Sequence, residues 1–436
     1  MTVPPEIQLV VDVVLIAGLS AMLVMNWRIH TTISRALALA NGTSIAERWS
    51  MAVTLLSHEA DQEGSGVEAR LGGIYAVEQV ARESQPYKTP TMELLAAYVR
   101  QRAPLGQTSI EPAVEIQSVL TVLGRSGVEG LDLRRTALWG IDLDGLTMVG
   151  VDFSESRLRG ARFAGTHMPR AKLRDVSMAD ANLTGADLQG AILTGARLAG
   201  SDLSGAMLRG ADLSGADLSR ARLRGADLRE AKLAGATLSH AVLDGVDLSG
   251  VVLDGVALDH ASLKGAILVG ADFQQARLEG ADFGTADLRR AVLRGLDLTT
   301  TRLQQAILAE ADLGHTILHN ADMRGTLLRQ ASLYLADLHG ALLQGVDLHG
   351  ADLIGANLQG ANLERASLTD ASLIGADLRH AQLVDAALDG ADLERAELAG
   401  ATMLGATTRG SSWQGARMIG AILPEDFQRP STSPTI

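Results

Sequence analysis

The chain has 436 residues, 47% of them apolar and only 3% aromatic, with no cysteine and a formal net charge of −13. The missing cysteines exclude disulfides and thiolate metal sites. The acidic balance disfavours direct nucleic-acid binding, which sets lysine and arginine against phosphate.

The first element is the stretch LVVDVVLIAGLSAMLVMNW, from Leu9 to Trp27. As a helix these residues span about 28 Å, enough for a bilayer core. Leu9, Val13, Ile16, Leu19 and Leu23 supply the apolar length. Asp12 lies near one end, where a charge reaches the interface at lower cost than at mid-membrane. Trp27 suits the other interface, and Arg28 and Arg35 follow it. The positive-inside rule then puts everything after Arg28 in the cytoplasm. This predicts a single-pass anchor over residues 1–30 in contact with the bilayer through 9–27. A helix buried in the following domain and a cleaved signal are the competing readings.

Residues 31–130 form a second, all-helical segment. Ser44 and Glu47 have the spacing of a capping box ahead of a helix to about His58. Asp61 to Gly66 is a polar break. Val67, Leu71, Ile74, Tyr75 and Val80 make the next helical stripe, and Gly72-Gly73 leaves room for a second backbone. Gln85 to Pro90 is expected to be a loop, with Thr89 capping a helix that starts at Pro90. That helix carries Leu94, Leu95, Tyr98 and Val99 and stops at Pro104. A last helix opens at Pro112 and presents Ile116, Val119, Leu120 and Leu123 on one face.

From Leu133 to Leu423 every fifth residue is large and apolar, through 59 consecutive units, with Thr408 the one polar exception. Leu133, Phe153, Leu218, Leu303 and Met403 are examples of this central position. The residue two before it is usually Ala, the one between usually Asp, and the last often Gly. A period of five fits neither helix nor ordinary strand and implies a solenoid. In a short extended segment Ala and Leu point inward and Asp outward. The Gly supplies the positive φ of a tight turn. Leu131, Ile141, Leu146 and Val151 widen the first coil, whose open end invites a cap. On this reading Leu218→Asp disrupts the coil and Asp217→Ser is neutral.

The units, as in ADLSGADLSR at 211–220, resemble pentapeptide repeats, A(D/N)LXX. That resemblance implies a mainly β fold: a right-handed, quadrilateral parallel β-helix over residues 131–425, of about 15 coils at four units each and about 70 Å long at ordinary layer spacing. The segments EARLGGIYAVEQVARES, ELLAAYVRQRAP and EIQSVLTVLGR resemble the helical segment that links a transmembrane helix to the repeats in many bacterial membrane-anchored members. Residues 426–436 read as a disordered tail.

The outward aspartates are the most tempting chemistry. Asp212, Asp272, Asp312, Asp352 and Asp392 differ by multiples of 20 and so share one face. Some pentapeptide repeat proteins act as DNA mimics, binding type II topoisomerases and protecting them from quinolones. Lys172, Lys232, Val252 and Val292 dilute this face, and Arg157, Arg197, Arg277 and Arg302 are scattered over the outside. The bland reading is a solvated face of the repeat. His240 with His260, and His319 with His339, should stack one coil apart but lack a third metal ligand. No catalytic motif appears, so no enzyme, metal or cofactor is expected. The sequence therefore predicts a non-enzymatic scaffold at the bacterial inner membrane, its rod in the cytoplasm and facing an unidentified protein partner. At the C-terminal coil, which has no helix as a lid, either Phe427 folds over the last coil or two coil ends meet as a homodimer. The alternative is a gyrase-binding DNA mimic.

Overall fold

A computed structural model describes residues 44–58, 65–106, 113–425 and 427. The expected anchor, with Leu9, Val13, Ile16, Leu19, Leu23, Trp27 and Arg28, lies outside these residues. Among the described residues no helix is long and apolar enough to cross a membrane.

Among the described residues four helices come first: α1 (Ile45–Leu56), α2 (Ser65–Glu83), α3 (Gln85–Arg102) and α4 (Val114–Ser126). The capping box at Ser44 is complete, its hydroxyl accepting from Glu47 N and Glu47 accepting from Ser44 N. At Gly73 an added Cβ would lie 2.8 Å from Leu56 N, so α1 and α2 meet backbone to backbone there. Leu71, Ile74 and Val80 are buried, but Tyr75 is exposed; Val77 takes the inward place instead. The expected loop at Gln85–Pro90 is helix. Pro86 sits in the first turn, where its missing N–H costs nothing. Pro90 lies inside α3 on an exposed face, where water can serve the carbonyl it leaves free.

The helices cover the open end of the first coil with named hydrogen bonds. Ala137 N donates to Ala103 O at 2.8 Å, and Thr147 N donates to Gly124 O at 3.1 Å. Gln117 does the same with its side chain, accepting from Asp142 N and donating to Asp142 O. Arg100 donates to Asp132 O. These groups stand where a preceding coil would be. A backbone edge that would otherwise be unpaired is satisfied by the helical block. Gly124 is required: a Cβ there would meet Leu146 at 2.8 Å.

Beyond the cap nearly every outward residue pairs in parallel with the residue 20 positions on, from Asp132↔Asp152 to Thr402↔Ile422. One circuit therefore takes four units. Each side contributes a single bridged residue, not an extended strand. The unit Val151–Glu155 shows how the backbone is satisfied. Val151 N closes the preceding turn on Met148 O, and Asp152 N reaches back a coil to Leu131 O. Phe153 N and Glu155 N reach forward to Lys172 O and Arg174 O. Ser154 N is left, and it donates to the Asp152 carboxylate at 3.0 Å. Every N–H has an acceptor.

The interior is filled. Leu133, Phe153, Leu218, Leu303 and Met403 are all fully buried. Phe153 and Phe163 meet edge to face at 6.3 Å, as do Phe273 and Phe283 at 5.8 Å. Where Ser or Thr replaces the inner Ala, the hydroxyl donates to a central carbonyl, usually three residues back, as Ser201 does to Leu198 and Thr316 to Leu313, and at Ser156 and Thr166 one coil further back, to Leu133 and Leu143. The corner φ is positive whether or not the residue is Gly: +64° at Gly185, +59° at Arg135 and +55° at Leu335. The left-handed region costs an ordinary residue roughly 1–2 kcal/mol. Neighbouring coils hold the corner in register, so the repeat tolerates this cost at many positions. At the far end Phe427 packs edge to face on Trp413, with ring centroids 5.2 Å apart.

Candidate functional site

A packed interior leaves the outer wall and the grooves of the helical block as places for function. Asp212, Asp272, Asp312, Asp352 and Asp392 do stand in one column, interrupted by Lys232, Val252, Val292, Ser332 and Ser372. Each of the five carboxylates accepts the backbone N–H two residues on, at 2.9–3.1 Å. The Asp of the repeat is therefore a turn-capping acceptor first, which explains why Asn alternates with it.

Many other carboxylates are neutralised locally. In Asp132/Arg134, Asp227/Arg229, Asp287/Arg289, Asp322/Arg324 and Asp377/Arg379, the guanidinium two residues on folds back as a fork onto both carboxylate oxygens. The Arg hydrogen bond lowers the pKa of each of these aspartates, and takes Asp322 down to about 2.

Charge is distributed unevenly along the rod. Residues 131–210 hold ten basic and nine acidic side chains, whereas residues 211–423 hold eighteen and twenty-seven. On the near-neutral part, next to the cap, Trp139, Arg157, Arg159, Ser177 and Arg197 line an open groove of about 590 Å³. Arg157, Ser177 and Arg197 are consecutive members of one bridged column. The sequence reading treats Arg157 and Arg197 as scattered. Spacing by 20 is the signal that joins them, and it also puts Trp139 beside Arg159.

The helical block carries a groove of about 470 Å³ lined by Glu78, Arg82, Lys88, Met92, Arg125 and Ser126, among others. Glu78 is paired with Arg82, and Ser126 Oγ donates to Leu123 O, so no nucleophile faces a base there. His240 and His260 stack at 5.0 Å, and among the described residues no three potential ligands converge on a metal site.

The family model for pentapeptide repeats matches in overlapping segments from 129–165 to 376–407, well over half the chain. This is a pentapeptide repeat protein. The family brings with it the right-handed β-helical solenoid, the hand also expected of a parallel crossover. No curated protein matches this pentapeptide repeat chain in sequence. Among solved structures it is similar to HetL, a pentapeptide repeat protein involved in heterocyst differentiation regulation in the cyanobacterium Nostoc sp. strain PCC 7120. That match has 31% identity over 57% of this chain and 90% of HetL, with a TM-score of 0.18. QnrB1, a plasmid-mediated fluoroquinolone resistance protein, matches at 20% identity over 44% of this chain and 88% of its own, with a TM-score of 0.28. A pentapeptide repeat protein of the Arabidopsis thaliana thylakoid lumen matches at 30% identity over 28% and 66%, with a TM-score of 0.13.

Proposed function

We propose that this protein is a non-catalytic, membrane-anchored interaction rod whose outer wall engages a protein partner. The observation that carries the reading is the filled interior: central side chains such as Leu218 and Leu303 are buried along the rod, so recognition has to use the outside. Residues 9–27 would hold the rod to the cytoplasmic membrane, with the helical block between lipid and first coil. At the other end Ile419 and Ile422 are exposed apolar side chains on the final turn and rung, a surface suited to pairing with a second copy.

Membrane fractionation with protease accessibility, on the full chain and on a version starting at Asn41, tests the anchored reading. The full chain should resist carbonate extraction and be shielded in spheroplasts, while the shortened chain is released. A full chain that stays soluble overturns the anchor. Digestion from outside inverts the topology.

A second reading is topoisomerase binding by DNA mimicry, favoured by the excess of acidic side chains over residues 211–423. Against it, the Asp212–Asp392 column alternates with lysine, valine and serine. A gyrase supercoiling assay separates the two. A mimic changes the supercoiling rate or its quinolone sensitivity, and a partner rod leaves both unchanged.

A further inference from the structure

The groove beside the cap is the wall's most distinctive feature. Its lining combines an indole and three guanidinium groups, Trp139, Arg157, Arg159 and Arg197, around the Ser177 hydroxyl. Trp and Arg are the residue types that dominate binding energy at protein interfaces. They sit on a chain whose net charge is −13.

The three arginines are differently engaged. Arg159 pairs with Asp180 at 3.0 Å. Arg157 donates through Nη1 to Leu105 O at 3.1 Å, a neutral partner that leaves its charge uncompensated. Arg197 makes no ion pair among the described residues; its bridges to Ser177 and Asp217 are backbone contacts. This contrasts with the Asp-Leu-Arg clamps elsewhere on the rod, where both charges are consumed. Arg157 and Arg197 lie two coils apart, about 10 Å at ordinary layer spacing. They offer separate forks for carboxylates, with Trp139 as an apolar anchor alongside.

We infer that this groove binds an acidic, aromatic-containing segment of a protein partner. The inference rests on the interaction-rod reading and gives that rod a docking face. Carboxylates of the segment pair with the Arg157 and Arg197 forks, whose planar geometry favours two-point contact with carboxylate. The aromatic side chain of the segment packs on Trp139. Duplex nucleic acid fits less well. Glu155, Asp175 and Asp180 fall within the same coils, and residues 131–210 carry only one more basic than acidic side chain. Backbone binding of a duplex needs many uncompensated cations.

The test uses the full chain and a fluorescent copolymer of glutamate and tyrosine as probe, followed by anisotropy. A lysine–tyrosine copolymer, a duplex oligonucleotide and phosphatidylserine vesicles are the comparison probes. The acidic copolymer should bind and the others should not. Arg157→Glu/Arg197→Glu should weaken binding at least tenfold, and Trp139→Ala should weaken it too. Arg157 and Arg197 are exposed and Trp139 is half-buried on the wall, outside the core, so circular dichroism should be unchanged. Charge reversal of the distal pair Arg365 and Arg395 should leave binding within twofold. Equal loss from the distal pair, or preference for the duplex or the vesicles, overturns the inference. Photo-crosslinkers on the other faces separate this from the parent reading. A partner captured there while the groove variant has no effect leaves the rod reading standing, and no captured protein on any face removes that as well.

Discussion

The helical block and the rod are built on opposite principles. Every contact in the block is particular. Arg70 and Glu115 form a buried ion pair at 2.9 Å, Arg70 also holds His58 O, and Gly73 fits one backbone against another. Burial and the Glu115 charge push the Tyr98 hydroxyl pKa upward beside them. The rod instead repeats one solution. Its buried polar groups are mainly hydroxyls that bond three residues back, and its charges stay on the wall. A block of the first kind tolerates change poorly anywhere in its interior. A quasi-one-dimensional stack transmits damage mainly to neighbouring coils. The cap also matters to the rod: without it, the first coil's N–H groups at Ala137, Asp142 and Thr147 lose their acceptors.

The largest effect should come from a charge placed at a central position of the rod. Leu218→Ala removes buried volume and should cost roughly 2–5 kcal/mol. Leu218→Asp should cost more, because the carboxylate has no partner inside. In a stack, the loss should centre on the coils around residue 218. Hydrogen exchange of the Leu198 and Leu238 amides, one coil to either side, reads this directly. Equal deprotection over the whole chain would mean that the rod melts as one unit, no more divisible than the helical block.

Next comes the block. Arg70→Ala strands Glu115 in the core and should cost roughly 3–5 kcal/mol, the usual penalty for breaking a buried pair. The double change Arg70→Met/Glu115→Leu should recover most of it. Denaturant unfolding measures both. A single variant as stable as the parent would show that water reaches Glu115.

Acid separates the two regions by titration. Asp132, Asp202, Asp212, Asp227, Asp287, Asp297, Asp322 and Asp377 on the rod all have lowered pKa values. In the block Glu83 is the one carboxylate lowered among the described residues. A group held below its unfolded pKa contributes stability that is fully present above that unfolded value. The contribution is lost as pH falls through the folded value. The rod should therefore lose thermal stability as pH drops from about 4 towards 2, and the block should change less. Both regions can be followed in one melt, through exchange of their separate amides.

Much of this architecture was legible because the five-residue period left few choices. Inward Leu218 and the need for a first-coil cap follow from spacing and from the unpaired edge. Two kinds of feature did not follow. Pro90 reads as a helix start on local grounds, but α3 had already begun at a first-turn proline. The groove at Trp139 depends on residues up to 58 apart in sequence, which come together only once the circuit length is fixed. The outward Asp faces water as its spacing implies, and its acceptor role toward the N–H two residues on is visible only in the folded turn.

Asp217 gives the smallest effect and the finest distinction. Its carboxylate accepts from Ser219 N at 3.0 Å, so the expected neutrality of Asp217→Ser holds only if serine's shorter side chain reaches the same N–H. Asp217→Ala removes the acceptor and should cost about 0.5–1.5 kcal/mol. Asp217→Asn keeps an acceptor without the charge and should stay within about 0.5 kcal/mol of the parent. The two variants ask whether the wall needs its aspartates as hydrogen-bond acceptors or as charges. If Asn is as damaging as Ala, charge is what the position requires, and the acidic face regains its claim as a recognition surface. If Asn is silent, the ladder is the rod's own turn chemistry, and recognition belongs to departures from the repeat such as Trp139 and Arg197.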